Sequence, residues 1–190
     1  MTRITKPPEE RRQEIIDTAM KVFYEKGYEK TSISDIAREM HVAQGLCYRY
    51  FSSKEELFDT ALDQYATLQV QLLCANMRQD MSLSELAANA PSFLETENDD
   101  SYAEKFYHDS GNAKFHWQLS LKVCEKLQPI VADFLRAAIA RGEIRLADPD
   151  TAASFFVYGQ LGILLDHTLP AQERVMRVRR FLSDVLKNFC

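Results

Sequence analysis

Glycine and proline are scarce, six of each in 190 residues, and Val, Ile and Thr seldom alternate with polar neighbours. Hairpins need turn residues and period-two patterning, so a turn-rich β architecture is disfavoured and helices are expected to dominate. Long hydrophobic runs are missing too. No stretch approaches the roughly 18 apolar residues of a membrane span. Met1-Thr2-Arg3-Ile4 leads straight into charged residues rather than a leader's apolar region, so a cytoplasmic chain with no membrane partner is expected. Cysteine occurs four times, as Cys47, Cys74, Cys124 and Cys190, but never as C-x-x-C. Zinc knuckles and thioredoxin-like redox motifs are thereby excluded, and idle or buried thiols are expected. His108 and His116 lack the H-x-x-x-H spacing that sets two ligands on one helical face, so neither metal nor cofactor is expected. No G-x-S-x-G elbow, phosphate loop or other catalytic spacing occurs, which argues against an enzyme.

What is present is a helical pattern with an uneven charge. The formal charge is −5. From Met1 to Lys54, however, ten Lys and Arg face eight Asp and Glu, and the remaining thirteen basic residues face twenty acidic ones. A mildly basic head on an acidic body suits one end turned toward a polyanion. Pro7-Pro8 and the acidic Glu9 and Glu10 open a first helix, in which Ile15, Ile16, Ala19, Met20, Val22 and Phe23 form the apolar stripe and Gly27 the stop. Ser32 with Asp35 resembles a capping box, followed by Ile33, Ile36, Ala37 and Met40 on one face. After a break at His41-Val42-Ala43, a third helix is expected from Gln44 to Phe51. Ser53 with Glu56 makes a second box, and Leu57, Phe58, Ala61, Leu62, Tyr65, Leu68, Leu72 and Leu73 carry a long fourth helix. Beyond it the pattern predicts a helix from about Leu83 to Leu94 and a polar loop through Ser101. A helical region follows from Tyr102 to about Arg141, broken near Ser110-Gly111 and at Pro129 and closed by Gly142. One more helix runs from Asp148-Pro149 to about His167, and a last one from Pro170 almost to Cys190.

A two-helix unit reads DNA when a first helix buttresses a short second one whose leading residues reach base edges in the major groove. TSISDIAREMHVAQGLCYRYFSSK, from Thr31 to Lys54, supplies such a unit, with Ala37 allowing close approach and Val42 plugging the turn. Here the chain closely resembles the TetR family of bacterial regulators. The resemblance rests on Phe23, Gly27, Tyr28, Thr31, Ile36, Ala37, Val42, Gly45, the run Tyr48-Arg49-Tyr50-Phe51, and Lys54 with Glu55, Glu56 and Leu57. Past about Tyr65 the likeness is one of architecture.

The resemblance implies an all-α fold: a three-helix head (1–54) joined by a long fourth helix to a helical ligand-binding and dimerisation domain (55–190). It implies a homodimeric, ligand-responsive regulator of a palindromic operator in double-stranded DNA, repression being the family's commoner mode, with half-sites roughly 34 to 36 Å apart or a multiple of that. Thr31, Lys54 and Tyr48 correspond to phosphate-contacting positions. Gln44 stands where a side chain reaches a base, and Gly45 where the backbone approaches closely. Arg49 either binds phosphate or stays solvated. Thr31 can also cap its helix, Tyr50 and Phe51 suit the core, and Arg3, Lys6, Arg11 and Arg12 form either a backbone-binding arm or a solvated tail.

Three departures from the family pattern stand out. His41 replaces a turn glycine, Ala43 replaces a capping serine, and Leu46 and Cys47 replace polar and aromatic residues. In the body, Phe155, Phe156, Gly159, Gly162 and Ile163 on one helix, with Val178, Leu182, Val185 and Leu186 on the last, suit a dimer interface as well as a monomer's core. Arg174, Arg177, Arg179 and Arg180 accompany that last stripe. Tyr107, Phe115, His116, Trp117 and Tyr158 are candidates to line an effector pocket, with plain core as the other reading. The rival functions are a helical interaction protein without DNA binding, and a regulator without an effector.

Overall fold

A computed structural model of the chain describes residues 6–75, 77–78, 80–83, 85, 113–166 and 168–187. The loop expected through Ser101, the helix start at Tyr102, the break at Ser110-Gly111 and Tyr107 lie outside the described residues, as does Cys190. The order of helices is α1 Pro8–Lys26, α2 Ile33–Glu39, α3 Gln44–Cys47, α4 Lys54–Cys74, α5 Ala113–Ala140, α6 Pro149–Tyr158, α7 Leu161–Leu164 and α8 Ala171–Lys187. Two compact units divide them: Met1–Tyr65 with Gly111–His116, and Ala66–Ser110 with Trp117–Cys190. The first unit thus reaches past the expected boundary at Lys54 and takes in the start of α5.

In this first unit, the head, local chemistry sets each helix. α1 begins on Pro8 with Glu9 and Glu10 in its first turn, and stops where Gly27, at φ 80°, donates its N–H to the Phe23 carbonyl. A left-handed φ of that size suits a residue with no Cβ. α2 carries the expected capping box. The Ser32 hydroxyl accepts from the Asp35 N–H at 3.2 Å, and the Ser32 N–H donates to the Asp35 carboxylate at 3.0 Å. At α4 the box is offset by one residue. Ser53 Oγ accepts from the Glu56 N–H, but the Glu56 carboxylate reaches back to the N–H and hydroxyl of Ser52.

Ile15, Ile16, Ala19, Met20 and Phe23 of α1 lie buried with Ile36, Ala37, Cys47 and Phe51, beneath Leu57, Phe58 and Ala61 of α4. α2 packs on both α1 and α3. Each large apolar side chain so buried contributes roughly 1.5 to 3 kcal/mol, so the head is held by apolar burial rather than by its surface ion pairs, Lys21 with Glu39 among them.

In the second unit, the body, Leu83, Phe134, Leu135, Ala138, Ile144 and Ala153 make one apolar cluster, and Cys124, Val157 and Leu161 another. Leu83 follows a further capping box, in which Ser82 and Glu85 exchange hydrogen bonds. Two expectations are corrected here. α5 runs unbroken through Pro129. Pro129 and the residue one turn earlier, Glu125, both lie on the exposed face, where a carbonyl that has lost its donor is open to solvent and a helix tolerates the proline without breaking. The helix expected from Asp148-Pro149 to His167 instead ends at Tyr158 and resumes as α7. At the junction the Gln160 side-chain amide donates to the Phe156 carbonyl, taking the acceptor that a continuing helix would offer to the backbone. Arg174 is not part of a basic surface stripe. It is buried, and its guanidinium donates to the Leu164 carbonyl at the end of α7. Burial lowers its pKa, with Asp166 opposing the shift.

Candidate nucleic-acid interface

The reading unit is built outward from a buttress. Ile36 and Ala37 of α2 are buried, and the chain then turns through Met40 to Ala43. His41 takes φ 56°, the left-handed conformation that a glycine would adopt without steric cost. Its N–H donates to the Arg38 carbonyl and that of Val42 to the Ala37 carbonyl, which closes the turn. Ala43 sits at the N-cap of α3 and supplies no side-chain cap. α3 spans only four residues, and the expected helix to Phe51 gives way to turns after Cys47. Cys47 is the inward anchor, fully buried, with burial pushing its thiol pKa up.

The outward side of α3 and of the turn that follows it carries Gln44, Gly45, Tyr48 and Arg49, all exposed, Tyr48 by 50%. Gly45 has ordinary helical φ, and a Cβ built on it would meet nothing within 4 Å. Nothing inside the head therefore requires glycine there, although glycine costs a helix about 0.5 to 1 kcal/mol relative to alanine.

Lys54 opens α4. Its ammonium donates to the Tyr28 carbonyl at 3.1 Å and lies 4.0 Å from the centre of the Tyr28 ring. Burial, the charges of Glu55 and Glu29 and a hydrogen bond to Glu55 together raise the Tyr28 pKa, so the phenol stays neutral beneath the cation. Thr31 is placed differently from its expected role. It is 2% exposed, and its hydroxyl donates to the Gly27 carbonyl at 2.8 Å, while Ser32 does the capping. Its polar atom serves the bend between α1 and α2. Lys6 and Arg11 pair with Glu14, and Arg12 lies 5.1 Å over the Phe51 ring, so these three are tied to the head, while Arg3 lies outside the described residues. Phe51 is core and Tyr50 half-buried.

The described pocket candidates are divided between the two units. Phe115 and His116 are buried in the head, near Phe58 and Tyr24 respectively, whereas Trp117 and Tyr158 are exposed residues of the body. Of the interface candidates, Phe155 is 76% exposed, Gly159 and Gly162 are exposed, and Phe156, Ile163, Leu182 and Val185 are half-buried. Val178, 6% exposed, faces the body's interior, and the Leu186 side chain lies outside the described residues. Met176 and Phe181 are exposed instead. Val178 and Phe181 read alike on hydrophobicity alone, so the sequence carries no signal that separates them.

A short exposed helix, braced by a second helix and flanked by a cation on a third, defines a helix-turn-helix protein. Residues 15–61 match the profile of the bacterial regulatory proteins of the tetR family. It is 51% identical over 49 residues to the HTH-type transcriptional regulator HbdR of Aromatoleum sp. (strain CIB), covering 26% of this chain and 21% of the relative. An uncharacterised HTH-type transcriptional regulator of Bacillus subtilis, YhgD, is 23% identical over 162 residues, 83% of this chain and 84% of its own. The matches to the foremost curated relatives span only 19% to 33% of those proteins' length. The fold is shared with the transcriptional regulator FadR of Bacillus subtilis, solved in complex with stearoyl-CoA, at a TM-score of 0.61 and 17% identity over 92% of this chain and 96% of that one. No helix among the described residues is long and apolar enough to cross a membrane.

Proposed function

We propose that the chain is a homodimeric transcriptional regulator that reads a palindromic DNA operator through α3 and responds to a small-molecule effector held by its body. The observation that carries the reading is the outward face of α3: Gln44 and Tyr48 exposed beside a glycine whose missing side chain serves no internal contact. A glycine left open on the outside admits a phosphate backbone or a base edge to the helix. Gln44 reads a base, adenine being the bidentate match for its amide, and Tyr48, Arg49 and Lys54 contact phosphates. The exposed apolar side chains Phe155, Met176 and Phe181 supply the contact with a second copy. Repression relieved by the effector follows if the effector favours a state that binds DNA less well. The stearoyl-CoA complex of a protein with the same fold makes long-chain acyl-CoA the first effector to try.

Selection from random duplexes followed by footprinting tests the reading, which expects a two-fold symmetric site. Lys54→Ala is expected to weaken binding to every sequence and to lower the salt slope by about one, whereas Gln44→Ala blunts discrimination at particular base pairs. A chain that selects no site, and retards no duplex at low salt, overturns the proposal.

A further inference from the structure

Phe115 lies near the start of α5, far along the chain from the rest of the head, yet it is buried there, 2% exposed. Its ring meets Phe58 edge-on, centroids 6.0 Å apart at 64°. Phe58 in turn lies 5.0 Å from Phe23 and 4.6 Å from Tyr28. Tyr28 carries the Lys54 ammonium, 4.0 Å from its ring centre, and accepts from it through its carbonyl. The contacts are therefore continuous from the start of α5 to the cation at the start of α4. Beside them Lys114 pairs with Glu29 at 3.1 Å, an exposed pair that holds the turn without adding much stability.

A lysine side chain has a flexible stem and loses up to about 2 kcal/mol of rotamer freedom when it is fixed. Its attraction to an aromatic ring acts only while the ammonium sits over the ring face. The tilt and place of the Tyr28 ring therefore decide where the ammonium rests. Phe58 and Phe23 both pack against that ring, Phe58 the nearer, and Phe115 packs in turn against Phe58.

We infer that Phe115, acting through Phe58 and Tyr28, positions the Lys54 ammonium for its phosphate, so that the start of α5 is a control point on duplex affinity. Phe115 is a positioning residue, not a contact. The inference rests on the proposed role of Lys54, and it gives Phe115 a part in DNA binding rather than in lining an effector pocket. A change in the body that withdraws the first turn of α5 loosens the cation without touching α3, so it lowers affinity for all sequences alike and leaves base discrimination intact.

The test has two arms, both on the full chain. In the first, the Lys54 ε-methylene resonances of the free protein are recorded by NMR. Seated over the Tyr28 ring they are shifted upfield; Phe115→Ala should return them toward the value of an unconstrained lysine, and Phe115→Leu, which restores apolar volume, should recover most of the shift. In the second, binding to a 30-base-pair duplex of random sequence is followed against KCl concentration. Phe115→Ala and Lys54→Ala should each lower the salt slope by about one, and the double variant no further. If Phe115→Ala does not fold, Phe115→Val takes its place in both arms. Unchanged Lys54 resonances in a folded variant, or additive losses in the double variant, overturn the inference while duplex binding by the wild type leaves the DNA-binding reading standing. A wild-type chain that binds no duplex overturns that reading and the inference with it.

Discussion

His41 and Gly45 sit four residues apart and have their backbone roles reversed. His41 takes φ 56°, where glycine is at home, and Gly45 takes a helical conformation in open space, where alanine is better. Both exchanges are therefore expected to stabilise the head: His41→Gly by relieving the left-handed strain, and Gly45→Ala by about 0.5 to 1 kcal/mol. Urea unfolding measures both. Only Gly45→Ala is expected to weaken duplex binding, because only there does a new methyl stand in the partner's path; equal binding by both variants would remove Gly45 from the interface. The strain at His41 is legible in the sequence, since a histidine in a glycine's place in a turn names its own cost. Thr31 is not legible in that way. Its hydroxyl meets the carbonyl of Gly27 across a bend, and nothing in the spacing distinguishes that internal bond from an outward one.

Helix ends read well from sequence and helix interiors less so. The box at Ser32 and Asp35, the glycine stops at Gly27 and Gly142 and the cap at Asp148 all occur where side-chain chemistry places them. The hydrogen bonds from Ser32 hold the Asp35 carboxyl below its ordinary pKa, with smaller help from Arg38 and Lys26. A carboxyl depressed on folding stabilises the head above its unfolded pKa, near 3.8, and that stability is lost as the pH falls through the lower folded value. Asp35→Asn is accordingly expected to be less stable than the wild type at pH 7 and to lose less between pH 5 and pH 3, as circular dichroism melts would register. Pro129 and the α6–α7 junction are not legible in the sequence, because a proline's effect depends on which face it occupies and a glutamine's on which carbonyl it finds. With Pro129 on the solvent side of α5, Pro129→Ala should restore the missing bond and raise the stability of the body by about 1 to 3 kcal/mol in thermal unfolding.

In the proposed homodimer, contact between copies turns on which apolar residues of α6 and α8 face outward. Phe155→Asp together with Phe181→Asp is expected to give a folded monomer in analytical ultracentrifugation, with helical content unchanged. Val178→Ala, a core truncation, should cost on the order of 2 kcal/mol in stability and leave the association state as it was. A monomeric Val178→Ala and a dimeric double aspartate would reverse the assignment. Periodicity names apolar stripes but not their outward side when a helix is apolar over much of its girth, which is why Val178 and Phe181 exchange places between expectation and structure. The inclusion of Phe115 in the head is likewise invisible in the sequence, because the pattern gives neighbours along a helix and not neighbours between distant segments.

Each unit encloses a thiol of its own. Cys47 is fully enclosed in the head and Cys124 in the body, and desolvation raises both thiols, that of Cys124 up to about 12. Neither can meet an alkylating reagent as a thiolate until its own surroundings come apart, so pulsed labelling with mass-spectrometric readout turns the pair into two clocks, one timing the opening of each half of the chain.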